Sequence, residues 1–178
     1  MFPRLFSIAL AACATIAQCR TTPIPYDHPD SVSCLCEDEA WHITRRWLNV
    51  FSTGGISSKA ELATIVTPDV KSYDDTFGPP TIGIDQLWGN ITAPGNSTTT
   101  NVTQTPSFLL HSCDQIAYNW LYTAVTTGYN STVPPGTPVS FTGNDIIRID
   151  LRTRLISNAT SAGQWILLAR QLGGTCTV

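Results

Sequence analysis

Apolar and polar positions change their period along the chain, and the changes divide it into regions. An apolar or small run from Leu5 to Ala17 opens the sequence behind a single charge, Arg4. Its length suits the core of a signal peptide and is too short for a comfortable membrane span. A proline-broken stretch follows. From Asp38, the residues Ala40, Trp41, Thr44, Trp47, Leu48 and Phe51 recur at helical spacing, with Arg45, Arg46 and Asn49 falling elsewhere. Glu37, Asp38 and Glu39 complement the positive end of that helix, and Gly54-Gly55 stops it. Ser58-x-x-Glu61 is a capping box opening a second helix through Ala63 to about Val66, closed by Thr67-Pro68. Val70 to Asp74 reads as a short strand. Ile82 to Ile91 reads as a third helix, with Ile84, Leu87, Trp88 and Ile91 on one side.

Residues 92–106 offer no core-forming side chain beyond Val102 and read as a solvated loop. The period then falls to two. Ser107–Cys113, Ile116–Thr126, Val139–Leu151 and Leu155–Thr160 are the expected strands; in the third, Ile147, Ile149 and Leu151 alternate with Arg148, Asp150 and Arg152. Gln164–Leu172 reads as a short helix in preference to a last strand, ended by Gly173-Gly174. Three helices ahead of a mainly antiparallel sheet of four to five strands make an α+β domain, with the helices packed in the concavity of a curved sheet.

Composition changes the picture in one respect: the chain is soluble through hydroxyls more than through ions. Of 178 residues only 13% are charged, whereas Thr (25) and Ser (14) together outnumber them. A net charge of −3 with two lysines, Lys59 and Lys71, excludes an electrostatic nucleic-acid binder.

Small residues at Ala12, Ala14 and Ala17 offer signal cleavage after Ala14 or Ala17, so a secreted, extracellular protein is expected. The expected organisation is a signal peptide over 1–17, an extended leader over 18–35 and one domain over 36–178. Asn-x-Ser/Thr sequons at Asn90, Asn96, Asn101, Asn130 and Asn158 fit export and predict a glycoprotein, with 92–106 a glycosylated loop. Cys13 leaves with the signal peptide. Cys34, Cys36, Cys113 and Cys176 are the expected disulfide cysteines, with three pairings open, and Cys19 is left free or trimmed away. Cys34 and Cys36 are too close for zinc ligation and no histidine pair exists, so no metal and no cofactor are expected.

Three pieces then carry a resemblance. Asp69-Val-Lys-Ser-Tyr-Asp-Asp with Gly83-Ile-Asp-Gln-Leu-Trp is similar to the first strand and third helix of the nuclear-transport-factor-2-like (SnoaL-like) superfamily. Asp114-Gln-Ile-Ala-Tyr-Asn-Trp resembles its central strand, and Pro138 to Asp150 followed by Arg154-Leu-Ile resembles its final hairpin. More narrowly, His111-Ser-Cys-Asp-Gln-Ile-Ala with a Gly-Gly-x-Cys end is similar to a group of secreted fungal proteins of this fold. The resemblance implies a cone-shaped fold with a pocket between helices and sheet, acid–base chemistry by a pocket Asp or His in its enzymes, and homodimers through the sheet face. Its cyclase-like members carry an Asp on the strand after the Leu-Ile hairpin. Here that stretch is Ser157-Asn158-Ala159-Thr160, without a carboxylate.

Asp145 is the most informative candidate. If the strand keeps its register, it shares a face with Ile147 and Ile149, where a carboxylate must be paired or functional. Alternatively, Gly143-Asn144 forms a bulge that turns it outward. His111 and Asp114 could meet as an acid–base pair if a turn intervenes at Cys113, or His111 is simply structural. Tyr73 and Asp75 share a face near the pocket mouth that the resemblance implies, and solvated strand-end groups are the plainer account. Tyr118, Trp120 and Tyr122 line one face, as pocket wall or as core. The candidate catalytic set is thus Asp145, His111 and Tyr73, and the candidate ligand-binding set Asp75, Tyr118 and Trp120.

The expected function is binding of a small apolar ligand or a protein partner. The competing reading is a cofactor-free lyase or isomerase of dehydratase or cyclase type, and a third is a structural or host-interaction protein whose cone is filled. No nucleic-acid partner and no stable membrane insertion are expected. An open pocket containing Asp145 or His111 marks the enzyme, whereas an aromatic-filled interior removes both pocket readings.

Overall fold

The computed structural model describes residues 32–74, 76 and 78–175. Among them run α1 (Glu37–Val50), α2 (Lys59–Leu62), β1 (Val66–Tyr73), β2 (Thr81–Ile82), α3 (Ile84–Ile91), β3 (Thr99–His111), β4 (Gln115–Thr126), β5 (Pro138–Asp150), β6 (Leu155–Gly163) and α4 (Trp165–Gln171). The six strands form one curved mixed sheet in the order β2-β1-β6-β5-β4-β3. All neighbours are antiparallel except β1 and β6, which are parallel. The fold is therefore α+β, with one strand more than the upper expectation and a fourth, C-terminal helix.

Three local departures have physical causes. The Thr-rich stretch expected as a loop up to residue 106 is strand from Thr99, part of the 13-residue β3. An edge strand exposed on one side needs few apolar residues, and β-branched threonine suits the pleat. Helix α2 ends at Leu62 rather than near Val66, and β1 starts at Val66 and runs through Thr67-Pro68. Pro68 sits where the β1–β6 register shifts, between Val66 and Lys71, so no ladder hydrogen bond is lost there. The short β2 occupies Thr81–Ile82, and α3 starts two residues later than expected.

One core lies between the helices and the inner face of the sheet. α1 contributes Ala40, Ile43, Trp47, Leu48 and Val50, and the strands contribute Ile116, Phe141, Ile147 and Ile156 among others. At one end, the N-terminal segment is tied to the β3–β4 turn by the Cys34–Cys113 disulfide and by Leu35 N–H donating to the Cys113 carbonyl. Arg154, in the β5–β6 turn, reinforces this anchor: its guanidinium donates to the Ser33 carbonyl and hydroxyl and lies 3.6 Å from Glu39. α4 packs at the opposite end, where the Leu172 carbonyl accepts from Thr132 N–H in the β4–β5 loop.

Candidate functional site: a buried carboxylate cradle

Register decides where Asp145 points. β4 and β5 pair without a shift from Val125–Pro138 to Gln115–Arg148, so strict alternation holds and Gly143-Asn144 makes no bulge between them. Asp145 therefore faces inward with Ile147 and Ile149 and is 5% exposed. Tyr118 stands directly opposite on β4 and Ser161 directly opposite on β6. The Tyr118 hydroxyl donates to Oδ2 at 2.7 Å, and Trp120 Nε1 donates to Oδ1 at 2.7 Å. Ser161 and, from α1, Trp47 approach the carboxyl group as further polar neighbours that lower its pKa. A helix and three strands thus converge on one side chain.

Two effects oppose each other at this carboxylate. Burial raises its pKa above the ordinary 3.8, and the polar groups of Ser161, Tyr118, Trp120 and Trp47 pull it back, with burial dominant. The Tyr118 phenol is pushed well above 10.0, by burial first and then by the adjacent charge, and stays a donor. Indole nitrogens can only donate, so the cradle is built for an acceptor.

Aromatic side chains fill the space around it. Trp120 packs edge-on to Phe141 at 5.6 Å, Tyr122 stacks on Phe141 at 4.5 Å, and Trp165 from α4 closes on Phe141 at 4.8 Å. Gly143 makes room for this: a Cβ there would stand 2.1 Å from the Trp120 ring. Tyr122 shares a 2.8 Å hydrogen bond with Thr99. Two open clefts mark the described surface. One, of about 480 Å3, lies among residues 95–100, Thr127 and Tyr129. The other, of about 510 Å3, lies over Gly163, Trp165, Ile166 and Leu167. Asp145 lines neither.

The other candidates separate. His111 is exposed at the end of β3, its Nδ1 3.2 Å from the Ser112 carbonyl. Asp114 turns to Arg148 at 3.1 Å, away from the acid–base pairing with His111, one of the two readings of these residues. Tyr73 needs correction as a pocket group. It pairs with Thr160 and follows Lys71 on the outward register of β1, while Asp145 faces inward. Asp74 accepts from Thr76 N–H in a local turn, and Asp75 lies outside the described residues. Tyr118 and Trp120 are on the inner face as read, but their polar atoms serve Asp145. Trp47 and Ser161 were missed: Trp47 read as part of an apolar stripe, and Ser161 gained its meaning only from register.

Cys36 is disulfide-bonded, and Cys19 and Cys176 lie outside the described residues, as do the expected signal peptide and most of the leader. Among the described residues no three His, Cys, Asp or Glu side chains gather as metal ligands would, and no helix is long and apolar enough to cross a membrane. The outer sheet face carries Phe108, Leu110, Leu121 and Ile146, exposed by 38–62%.

Solved structures of similar fold include proteins assigned as SnoaL-like polyketide cyclases and one with a ketosteroid isomerase-like fold. TsrD from Streptomyces laurentii superposes with a TM-score of 0.60 at 18% identity, covering 79% of this chain and 99% of its own. A protein assigned as a SnoaL-like polyketide cyclase from Jannaschia sp. CCS1 gives 0.62 at 10% identity, covering 82% and 96%. A protein with a ketosteroid isomerase-like fold from Catenulispora acidiphila, solved in complex with trimethylamine, gives 0.59 at 16% identity, covering 75% and 93%. The sequence matches no protein-family model and no curated protein. At these identities the likeness is one of fold.

Proposed function

We propose that this chain is a secreted glycoprotein that works by binding another protein through its outer sheet face, and that its cone is filled by its own side chains. The carrying observation is the Asp145 cradle, buried and bonded from within. A general base must be within reach of a substrate proton, whereas Asp145 is 5% exposed, lines neither cleft, and has each carboxylate oxygen already accepting from an internal donor. The interior that would hold a small ligand is occupied by Trp47, Trp120, Phe141 and Trp165.

The outer face supports the binding half of the reading. Leu110, Ala117 and Ile146 lie on one rung across β3, β4 and β5; Phe108 is on the next outward rung, opposite Asn119, and Leu121 is one rung further along. The charges at its edge, Asp114 and Arg148, neutralise each other. The partner this face fits is a second copy of the chain: a two-fold interface sets a patch against itself, and an uncharged apolar patch does so without repulsion. The sequons at Asn158, on β6 beside Arg148, and at Asn101, near the start of β3, would place glycans at the borders of the patch. Secretion, glycosylation and a single domain over 36–178 belong to this same reading.

Native mass spectrometry of the chain secreted from a eukaryotic host tests it. The expected result is a glycosylated dimer without a small molecule, which Leu110→Glu with Ile146→Glu converts to monomer. A monomer at every concentration, or a co-purifying ligand of a few hundred daltons, overturns it.

One observation favours a second reading, a cofactor-free lyase or isomerase. The Asp145 pKa is raised in a fold shared with proteins assigned as polyketide cyclases. For that chemistry the cradle must open, and Trp165 beside the 510 Å3 cleft is the side chain that would have to move.

A further inference from the structure

The arrangement of ends in this fold determines more of the disulfide pattern than the sequence does. Cys34 is taken by Cys113, and Cys36 is also disulfide-bonded. The remaining cysteines are Cys13, Cys19 and Cys176. Cys13 lies within the apolar run that reads as the signal-peptide core, so the exported chain offers Cys19 and Cys176.

Cys176 is excluded by distance. Cys36 caps α1 one residue after Leu35, whose N–H is bonded to Cys113 at the β3–β4 turn. The chain leaves α4 at the other end of the sheet, where Leu172 is bonded to Thr132 and Ser131 in the β4–β5 loop. Between the two ends runs β4, 12 residues long. At about 3.3 Å per residue the ends stand roughly 40 Å apart, or somewhat less along a curved strand. Cys176 lies four residues past Leu172, a reach of at most about 14 Å, and a disulfide spans about 7 Å between Cα atoms. The sum falls well short of the gap. Cys19 is limited by no such distance, because 16 residues separate it from Cys36.

We therefore infer that Cys36 pairs with Cys19, closing residues 20–35 into a covalent loop at the Cys113 end and leaving Cys176 outside both intramolecular bridges. This replaces the expectation that Cys19 is the odd cysteine. Chemically, the Cys19 and Cys36 thiols give up two protons and two electrons and form one S–S bond. The acceptor is a disulfide oxidoreductase of the secretory pathway, whose own disulfide is reduced to two thiols by exchange. The anchored base of the loop, with Arg154 on Ser33 and Leu35 on Cys113, holds Cys36 in place for that exchange. Signal cleavage must then fall before Cys19, which both Ala14 and Ala17 satisfy.

The inference rests on export, and one experiment separates the two. The full-length chain is secreted from a eukaryotic host, alkylated without reduction, digested with trypsin and mass-analysed. Cleavage after Arg20 and Arg45 places Cys34 and Cys36 on one peptide, with Cys19 on the peptide ending at Arg20 and Cys176 on the peptide after Arg170. The expected product joins the 21–45 peptide to the Cys113 peptide and to the N-terminal peptide, and Cys176→Ser leaves that product unchanged. A linkage of the 21–45 peptide to the peptide after Arg170 overturns the pairing while leaving export intact. A mature N-terminus beyond Cys19 also overturns it. Recovery with every cysteine alkylated, Cys34 and Cys113 included, is instead the failure of export itself.

Discussion

Asp145 illustrates how a single residue can be costly and organising at once. Stripping water from a carboxylate is unfavourable, and the polar groups of Ser161, Tyr118, Trp120 and Trp47 offset part of that cost. Tyr118→Phe removes one donor from a buried charge, for which about 1.5–3 kcal/mol is the usual loss. Chemical denaturation should show that loss, and a cost near zero would mean that water or another group replaces the phenol. The pH dependence has a definite sign. The folded-state pKa lies above 3.8, so the group's contribution to stability is fully present below that value. It is lost as pH rises through the folded pKa, because ionisation is harder inside than outside. Asp145→Asn lacks this dependence, so the stability of the native chain relative to the variant should decline with rising pH across that window. Denaturation curves of both proteins at several pH values check it, and a relative stability that climbs with pH would show that the donors outweigh burial.

At the scale of elements, β5 and β4 are matched as a large-and-small pair. Gly143 is paired with Trp120, and the indole lies over the glycine where any side chain would stand. Gly143→Ala places a Cβ 2.1 Å from the ring, so Trp120 must swing away and release Asp145. Overpacking of this kind costs about 1–3 kcal/mol, and losing the indole donor adds to it. Thermal unfolding together with tryptophan fluorescence reports both effects; an unchanged transition and spectrum would deny the close packing. The same pair shows what was legible in the sequence. Strict alternation around Ile147 and Ile149 placed Asp145 inward, and alternation at Tyr118, Trp120 and Tyr122 placed those three on one face. What alternation cannot supply is register between strands, so neither the Tyr118–Asp145 contact nor the role of Ser161 was visible. Gly143 read as a potential bulge because a glycine that admits a neighbour's ring looks the same in one dimension as a glycine that bends a strand. The long β3 was missed at its start because hydroxyl-rich edge strands carry little apolar period. Tyr73 was placed at a mouth because its register against β6 depends on the shift beside Pro68, which local patterning does not reveal.

At the scale of the whole molecule, the two ends of the cone are secured by different means. The α4 end is held by side-chain and backbone hydrogen bonds, such as the Gln171 amide bonded both ways to the Ser140 backbone. The α1 end is held covalently, by a bridge whose cysteines are 79 residues apart. Loop-closure entropy for a separation of that size predicts about 4 kcal/mol from the cross-link alone. Here the cross-link also fixes Leu35, 6% exposed, and the first turn of α1, the helix that carries Trp47 to Asp145. Loss of the bridge should therefore be felt at the cradle and not only at the surface. Cys34→Ser with Cys113→Ser should lower the unfolding midpoint and, before global unfolding, weaken the protection of amides in α1 more than of those in β4 and β5. Hydrogen exchange resolved by segment measures this. If α1 and the central strands lose protection together, the chain responds as one cooperative unit. If α1 alone is loosened, the disulfide is what keeps the helix seated on the sheet, and the buried carboxylate has become the first interior group that water can reach.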